Sequence, residues 1–537
     1  MKSQCLPFSQ IPHSTRLFLD FLAGSPEVRQ FYPRSARFDS GFMEAAAGLR
    51  YDSARREQMA AILERQNKNW NVSARTLENI IRLRAGAFAV VTGQQVGLFG
   101  GPMFALFKAL TAVNLADQVS SGGVDCVPIF WLATEDHDLA EVNHASIPGS
   151  DGALQKLTTS SQGVPDSPVG RIVFGTEIEA AVEAAQGLLG ESEVADFLGQ
   201  AYRPGETFGS AFARLFAKLF AEWGVILLDA SDADLHRIAG PLYRGAIERA
   251  AELDDVLLTR GRELESAGYH QQVKVTPSST LLFALHNGAR LPVHRHANGS
   301  DKFVIGGETI SRADLLKQIE SESQGFSPNV LLRPVVQDYL LPTLAYTGGA
   351  AEVAYFAQAG VVYETLLGRQ TPIVPRFSAT IVQQKAETLL ERYRLNFVDL
   401  FHGPDTLCEL LGRNMLPQDL QSAFDATGTS LDKSLASIRE ALAQLDVTLV
   451  DSAKTAGEKM HYQLNQLRSR AARAELRQSE ILDRHAKFLS NTLYPNKTLQ
   501  EREVAGIYFL ARHGTSLLHE LYEAIHTDCL DHQVISL

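Results

Sequence analysis

The sequence predicts an α/β protein built on an open, mostly parallel sheet, and the first 140 residues carry most of that prediction. A β-branched run at 90–92 leads into a glycine-rich loop at 93–102, and a helix with apolar periodicity follows at about 103–119. A second apolar run, 127–133, ends in a group of polar residues. Strand, loop, helix and strand in this order form the repeating unit of doubly wound sheets. Because such sheets bind ligands beyond the carboxyl ends of their strands, we expect a site there.

Later parts of the chain extend this sheet. A periodic helix at 208–223 leads into the apolar run 225–228, and a further apolar run at 330–338 predicts another sheet segment. The stretch 145–205 is rich in Gly, Ser and Pro, and 281–285 has the pattern of a short strand. These changes divide the chain into N-terminal helices with the first part of the core (1–140), an insertion (141–205), core (206–240), a second insertion (241–327), core (328–384), a helical arm (385–485) and a C-terminal segment that packs on the core (486–537).

The arm differs from the rest because its apolar residues follow a coiled-coil spacing. The a and d positions of this repeat are occupied by Leu431, Leu435, Ile438, Leu442 and Leu445. A narrow apolar stripe sustained over several turns is typical of helices that pair with one another. We therefore predict a long α-helical coiled-coil arm, as a helical hairpin or as the contact of a homodimer. The alternative is a long helix that packs on its own domain.

Composition and charge indicate a soluble globular protein. The chain has 537 residues, of which 45% are hydrophobic and 21% charged, and its formal net charge is −12. This acidic balance argues against a broad nucleic-acid-binding surface. The N-terminus lacks the apolar segment of a signal peptide, and no stretch approaches the ~18 apolar residues that span a bilayer. We expect a cytoplasmic protein with neither nucleic acid nor membrane as a partner.

The cysteines, Cys5, Cys126, Cys408 and Cys529, are scattered along the chain. They form no CxxC pair and no spacing typical of a disulfide framework or a zinc site. We therefore expect reduced thiols and no bound metal.

The loop after the first strand is the first candidate binding element. Its candidate residues are Thr92, Gly93, Gln94, Gln95, Gly97 and Gly101, with Lys108 in the following helix. The loop fits neither the GxGxxG fingerprint nor the GK[ST] of a P-loop, but its glycines allow close backbone approach and its glutamines offer donors and acceptors. The alternative is a tight turn that needs glycine only for packing. Lys108 can reach an anion or lie on a solvated face.

The densest ionisable cluster follows the second strand. Its candidate catalytic residues are Glu135, Asp136, His137 and Asp138, and the candidate binding residues Asn143 and His144 follow. Neighbouring carboxylates repel one another unless a cation, a ligand or protons relieve them. Such a cluster can hold Mg²⁺ for a nucleotide, supply a general base or hydrogen-bond a polyol. A zinc site is disfavoured because no thiolate is nearby. The alternative is a solvated loop whose acids cap a helix.

A third group of polar residues lies later in the core. The candidate binding residues here are Arg333, Gln337, Asp338, Gly348, Gly349, Glu352, Tyr355 and Gln358. Arginine suits carboxylate or phosphate, and the glycine pair can form an anion-accepting helix N-terminus. The last three residues are spaced three apart, which places them on one helix face. A structural salt bridge between Arg333 and Glu352 is the competing interpretation.

Several long strings of the sequence resemble the BshC family of bacillithiol synthesis. They are TGQQVGLFGGP at 92–102, PIFWLATEDHDLAEVNH at 128–144, LLRPVVQD at 331–338, YTGGAAEVAYFAQ at 346–358 and LYPNKTLQERE at 493–503. The resemblance implies a Rossmann-like core with connecting-peptide insertions, related to class I synthetase-type nucleotidyltransferases, and a coiled-coil arm that makes dimers. The chain has neither the HxGH motif nor the lysine-rich KMSKS-like loop of those synthetases.

The same resemblance implies a reaction, the ligation of L-cysteine to the amine of glucosaminyl malate, driven by ATP and allowing for Mg²⁺. Carboxylate activation followed by amine attack needs phosphate binding, charge neutralisation and a base. The glycine loop, Lys108 or Arg333, and the cluster at 135–138 are the respective candidates. Two other functions stay open: another nucleotide- or sugar-dependent transferase on this core, and a non-enzymatic coiled-coil dimer that senses a metabolite.

Overall fold

The structure is a computed structural model that describes residues 2–39, 41–296, 301–414, 416–477, 480–525 and 529–537. Its N-terminal part contains β1 (Lys2–Leu6), α1 (Arg16–Ala23), α2 (Pro26–Arg29), α3 (Gly41–Gly48), α4 (Ser53–Asn69) and α5 (Ala74–Ala85). Helices α4 and α5 start where the side chains of Asp52 and Ser73 accept hydrogen bonds from N–H groups of the first turn.

The first half of the core alternates strand and helix. It contains β2 (Phe88–Gln94), α6 (Phe104–Ser121), β3 (Cys126–Leu132) and the short α7 (Leu139–Val142). All of β3, most of β2 and most of α6 are buried, as expected where helices cover both faces of a parallel sheet. The predicted order of strand, glycine loop, helix and strand is confirmed.

Two groups of elements follow along the chain. The first group lies between β3 and the next core strand and includes β4 (His144–Pro148), β5 (Leu154–Thr158), α8 (Glu177–Leu189) and α9 (Glu193–Ala201). The second group returns to the core with α10 (Phe208–Leu219), β6 (Ile226–Asp229), α11 (Ala233–Glu248) and α12 (Ala250–Ser266). The predicted helix before the apolar run 225–228, and the strand formed by that run, are confirmed.

A second sheet and the rest of the core come next. The strands of the second sheet are β7 (Ser279–His286), β8 (Ala289–Arg295), β9 (Lys302–Ile305), β10 (Glu308–Ser311) and β11 (Phe326–Pro328). The helix α13 (Arg312–Ser321) lies between β10 and β11 in the chain. The core continues with α14 (Arg333–Leu340), β12 (Thr343–Gly348), α15 (Ala350–Leu367), β13 (Ile373–Pro375) and β14 (Ala379–Val382). The strand predicted at 281–285 lies within β7.

The C-terminal part is mostly helical. It contains α16 (Gln384–Tyr393), α17 (Pro404–Asn414), α18 (Gln418–Leu445), α19 (Leu449–Arg477), α20 (Glu480–Leu493), α21 (Gln500–Glu503), α22 (Gly506–His513), α23 (Leu517–Glu523) and β15 (His532–Ser536). None of the helices in the described ranges is long and apolar enough to cross a membrane.

The central sheet is parallel and has the strand order β13-β12-β2-β3-β6. The chain builds it outwards from β2, first through β3 to β6 and then, on the other side, through β12 to β13. This is the order of a Rossmann-like sheet, and the direction of building reverses between β2 and β12. The predicted α/β fold with a Rossmann-like core is therefore confirmed. The second sheet is antiparallel, in the order β10-β9-β8-β7-β11.

The prediction of a sheet segment at 330–338 was wrong. Arg333 and the residues after it form α14, with Pro334 in its first turn, and the next strand of the sheet is β12. Proline suits a first helical turn because its missing N–H has no partner there in any case. A short apolar run has the same pattern in a buried strand and in a buried helix, so periodicity alone could not separate them.

The arm contains the predicted helical hairpin, formed by α18 and α19. Leu435 is buried against Gly457, where an added Cβ would lie 2.8 Å from the leucine Cδ1, so the two helices approach closely. Further along α18, Ile438 is 50% exposed and Leu445 is 78% exposed. The hairpin alone therefore covers only part of the predicted stripe.

One expectation about the cysteines was also wrong. Cys5 and Cys529 form a disulfide whose Cα atoms lie 6.5 Å apart, whereas Cys126 and Cys408 are free. The pairing of β1 with β15 brings the two segments together. A contact between residues separated by 524 positions leaves no trace in local spacing, which is why the sequence predicted only reduced thiols.

Candidate active site

A cavity of about 600 Å³ opens at the carboxyl ends of β2, β3 and β12. It lies where the direction of sheet building reverses, which is the usual ligand position in such folds. The predicted site residues that line it are Gly93, Gln94, Gln95, Lys108, Glu135, Asp136, His137, Arg333, Gly349, Glu352 and Tyr355. Residues from all three predicted groups therefore meet at one place.

The loop after β2 is fastened to the acidic loop after β3. A Cβ at Gly93 would lie 3.0 Å from the Trp131 carbonyl oxygen, so glycine allows the two strands to end side by side. The Gln95 amide then donates hydrogen bonds to Asp136 Oδ2 at 2.6 Å and to Glu141 Oε2 at 2.7 Å. One amide therefore binds Asp136 of the predicted cluster and also Glu141, a carboxylate of the short helix that follows it.

A buried ion pair joins α6 to the start of α15. Lys108 Nζ lies 2.6 Å from Glu352 Oε2 and donates to the Gly93 carbonyl at 2.8 Å and to Gln94 Oε1 at 2.9 Å. Glu352 also accepts a hydrogen bond from the N–H of Gly349 at 2.8 Å. Burial alone would raise the pKa of Glu352, but Lys108, together with hydrogen bonds from the Tyr346 hydroxyl and the Gly349 N–H, outweighs it, so this pKa lies below its ordinary value. The Glu352 carboxylate is thus ionised inside the cavity wall.

Arg333 is held by neutral side chains. It donates to Gln337 Oε1 at 3.0 Å and to the Tyr355 hydroxyl at 3.1 Å, and its guanidinium lies 5.2 Å from the centre of the Tyr346 ring. The salt bridge to Glu352 that the sequence allowed is not formed, because Glu352 pairs with the lysine of α6. Arg333 therefore keeps a positive charge on the cavity wall, and no carboxylate of the described residues is bonded to it.

The acidic loop lines the opposite wall. Asp136 and His137 are 35% and 36% exposed, so solvent and ligands can reach both side chains. His137 Nδ1 lies 3.2 Å from Nη1 of Arg290, which also donates to the Pro328 carbonyl at 2.7 Å. Arg290 was not predicted. It comes from β8 in the second sheet, and no local motif marks it.

Glu135 is backed by two buried side chains of α11. Its Oε1 lies 3.2 Å from Nε2 of His236, whose Nδ1 lies 3.0 Å from the Tyr243 hydroxyl. His236 is only 3% exposed, so it fixes the orientation of the carboxylate without facing the cavity openly. An oriented carboxylate at a strand end can accept a proton from a bound substrate. Neither His236 nor Tyr243 was predicted, because α11 carries no motif.

Two arginines complete the lining, and sequence reasoning did not assign either of them to the site. Arg376 binds Glu501 through two hydrogen bonds of 2.6 and 3.1 Å, and these side chains are 6% and 1% exposed. Burial alone would raise the pKa of Glu501, but Arg376 reverses the shift and holds it below the ordinary value. Arg502 lines the cavity beside them. The string LYPNKTLQERE contains both Glu501 and Arg502 and was the available signal.

Some predicted site residues lie outside this cavity. Gly97, Gly101 and His144 line a second cavity of about 280 Å³, which shares Gln94 and Gln95 with the first. The others make contacts within the protein, and these are Thr92, Asp138, Asn143, Gln337, Asp338, Gly348 and Gln358.

These residues bind other parts of the protein. Asp138 caps α7 by accepting a hydrogen bond from the N–H of Glu141 at 3.1 Å. Gln358 bonds both the N–H and the carbonyl of Val273 at 2.8 Å. Thr92 donates to the carbonyl of Thr347 at 2.9 Å. Direct contact of this group with a ligand stays a prediction.

The charge of the lining is distinctive. Within the described ranges it contains the cations Lys108, Arg290, Arg333, Arg376 and Arg502 and the anions Glu135, Asp136 and Glu352. Glu501 neutralises Arg376 from behind the wall, but the cations still outnumber the anions, and an excess of cations inside a chain of net charge −12 attracts anionic ligands to this place. No three His, Cys, Asp or Glu side chains of the described residues are grouped as a metal site.

Comparison with known proteins gives the same assignment over the whole chain. Residues 1–377 match the model of the bacillithiol biosynthesis BshC N-terminal Rossmann-like domain, and residues 379–537 match that of the BshC C-terminal coiled-coil domain. The named strings of the sequence analysis lie in both parts.

Individual relatives match over nearly their full length. A protein of Koribacter versatilis (strain Ellin345) that bears the name "Putative cysteine ligase BshC" is 48% identical over 535 residues, which is 100% of both chains. Proteins of the same name from Solibacter usitatus (strain Ellin6076) and Salinibacter ruber (strain DSM 13855 / M31) are 37% and 32% identical. They cover 100% and 97% of this chain and 100% and 96% of their own. By fold, by both domain models and by these identities, the chain belongs to the BshC family.

Proposed function

We propose that this protein is an ATP-dependent ligase that joins L-cysteine to the amine of glucosaminyl malate in bacillithiol biosynthesis. The observation that carries the proposal is the cavity at the strand ends, where several cations and an oriented carboxylate face one space. The relatives' shared name, cysteine ligase, supports the same reaction class. Both proposed substrates and the nucleotide carry negative groups, which the cation excess attracts.

The proposed reaction has two steps. A carboxylate oxygen of cysteine attacks a phosphorus atom of ATP. Either pyrophosphate is released and a cysteinyl adenylate forms, or ADP is released and a cysteinyl phosphate forms. The amine nitrogen then attacks the carbonyl carbon and loses a proton, while AMP or phosphate departs and the amide remains. In this proposal Lys108 and Arg333 neutralise phosphate charge, the loop at 93–101 approaches the phosphates with its backbone, and Glu135 or Asp136 accepts the proton.

The residues present fit a polyphosphate. Lys108 on α6 and Arg333 at the start of α14 both line the cavity, and so do Gly349 and Ala351 at the start of α15. Cations and exposed backbone N–H groups are the usual phosphate ligands. We include Mg²⁺ only as the customary counter-ion of the nucleotide.

The test is direct synthesis. Purified protein is incubated with cysteine, glucosaminyl malate and ATP, and mass spectrometry measures the cysteinyl amide together with AMP and ADP. We expect the amide in amounts equal to one of the two nucleotides, which also identifies the activated intermediate. Cells that lack the protein should accumulate glucosaminyl malate and contain no bacillithiol. Absence of the amide with ATP present, or an unchanged thiol profile in such cells, would contradict the proposal.

We also propose that the protein works in the cytoplasm, where ATP and cysteine are available, and that it forms a homodimer through the arm. The exposed apolar side chains of Ile438 and Leu445 support the dimer, because the hairpin itself leaves them uncovered.

A further inference from the structure

Arg502 differs from the other cations of the cavity in what it binds. Lys108 pairs with Glu352, and Arg376 pairs with Glu501. Among the described residues, by contrast, the Arg502 guanidinium has no hydrogen-bond or ion-pair partner within bonding distance, and its side chain is exposed. It lines both the 600 Å³ cavity and the 280 Å³ cavity. This guanidinium therefore belongs to a residue that borders a space a ligand can enter.

The backbone that carries Arg502 is rigidly placed. Gln500, the first residue of α21, donates to the Ile381 carbonyl at 3.0 Å and accepts from the Ile381 N–H at 2.8 Å. Glu501 accepts a hydrogen bond from the N–H of Ala379 at 3.0 Å. Gln500 and Glu501 are each 1% exposed. This short helix is thus bonded along β14, and the next residue is presented at the cavity in a fixed position.

The surroundings of Arg502 favour an anion. Arg376 is close enough to interact with it electrostatically, and the carboxylates of Glu501 and Glu352 offset part of that repulsion at a distance. Glu501 is already bonded by Arg376 and Glu352 by Lys108, so neither is free to bind Arg502. A guanidinium in this position gains most from a carboxylate or phosphate that brings its own two oxygens.

We propose that Arg502 is a substrate-binding residue that takes a polyanionic group, either a dicarboxylate or a phosphate. The C-terminal coiled-coil domain thereby contributes to the site of the Rossmann-like domain and completes it. The two possible sources, the malyl group of the amine substrate and the phosphates of the nucleotide, follow from the proposed function. The anion subsite itself rests on the geometry alone.

Binding measurements on the full-length protein test the subsite without any turnover. Isothermal titration calorimetry with L-malate and, separately, with ATP is carried out on the native protein and on Arg502→Gln. We expect one of the two affinities to fall about 10- to 100-fold, as for the loss of charge-assisted hydrogen bonds. Loss for malate identifies the dicarboxylate as the occupant, and loss for ATP identifies the phosphate.

The matched control is Arg512→Gln, which removes the same charge from an exposed arginine of α22 and should leave both affinities unchanged. Arg502→Lys keeps the charge but loses the planar guanidinium, so its affinity for the same probe should fall by an intermediate amount. It also provides a second variant if Arg502→Gln is unstable. Unchanged affinities in Arg502→Gln and Arg502→Lys, or native protein that binds neither probe, would overturn the subsite. Failure of the native protein to form the amide would overturn the proposed function instead.

Discussion

The sheet core and the helical arm differ in which side chains they bury: the core buries charged side chains, and the arm exposes apolar ones. The core buries the ion pairs Lys108–Glu352 and Arg376–Glu501 beside a cavity. The arm leaves Ile438 and Leu445 open to solvent. Buried charges cost stability unless their pairing is complete, and an apolar stripe gains stability only when another surface covers it. The difference teaches that the core concentrates its buried charges around a cavity, whereas the arm exposes apolar side chains that gain stability only if another surface covers them.

Separating a buried ion pair of the core should have the largest effect on stability. Lys108→Met leaves the Glu352 carboxylate buried without its cation, and Glu352→Gln leaves the ammonium group in the same state. We expect each change to lower the free energy of unfolding by about 3–5 kcal/mol, as measured by urea denaturation. The double variant should lose less than the sum of the two, because no uncompensated charge remains.

The control for this pair is an ion pair on the surface. Lys68 and Glu64 are 58% and 35% exposed, and Lys68→Met, the same change as in the buried pair, should alter the stability little because Glu64 stays in water and keeps its second partner, Arg84. If Lys108→Met proved as stable as the native protein, the ion pair would not be what holds this wall of the cavity.

Changing the acidic loop should reduce activity while leaving stability unaffected. Asp136→Asn keeps the size of the side chain but removes the charge at the cavity, and Glu135→Gln removes a candidate base. We expect amide formation to slow about 100-fold or more, with an unchanged melting temperature. Asp138→Asn is the control, because Asp138 caps α7 outside the cavity. If all three variants formed the amide at the native rate, the acidic loop would have no part in the reaction.

Charge placed on the arm should separate subunits without affecting the core. In the variant Ile438→Asp with Leu445→Asp, a dimer contact would have to bury two carboxylates, so we expect monomers by light scattering. Leu435 is less informative because it packs inside the hairpin against Gly457. The control is Ile81→Asp on α5, whose exposure of 59% lies between those of the two arm positions, and it should keep the native mass. A native protein that is already monomeric would show that the stripe has another use.

The parts of the fold that could be predicted are those whose pattern lies within one continuous stretch of the chain. The strand, loop and helix at 90–119, and the acidic cluster that follows β3, carry both their pattern and their chemistry within a few turns of chain. The helix α14 was assigned as a strand because a short buried apolar run has no distinguishing period. Local pattern therefore gave the architecture but not the type of every buried segment.

The parts of the site that could not be predicted come from distant segments. His236 reaches Glu135 from α11, Arg290 reaches His137 from the second sheet, and Arg502 arrives from the C-terminal domain. Each is a single residue without a surrounding motif, and only the three-dimensional pairing of elements brings it to the cavity. The second half of the site is therefore a tertiary feature.

The smallest expected effect concerns a buried group that is uncharged, in contrast to the ion pairs of the core. His532 in β15 is fully buried between Ser378 Oγ at 2.8 Å and Thr380 Oγ1 at 2.9 Å, and burial lowers its pKa to about 4. The unfolded chain binds this proton near pH 6.5, so the stability contribution is complete above that pH and is lost as the pH falls towards 4. At pH 5 the loss relative to pH 7 should be about 2 kcal/mol.

The comparison variant is His532→Gln, which keeps a hydrogen-bonding side chain but cannot titrate. Other groups also titrate in this range, so the informative quantity is the difference between the two proteins in their loss of stability from pH 7 to pH 5, measured by urea unfolding. The native protein should lose more by that amount. If both proteins lose the same free energy of unfolding between pH 7 and pH 5, His532 is protonated in the folded state. The hydroxyl groups of Ser378 and Thr380 must then stabilise a charged imidazole in β15.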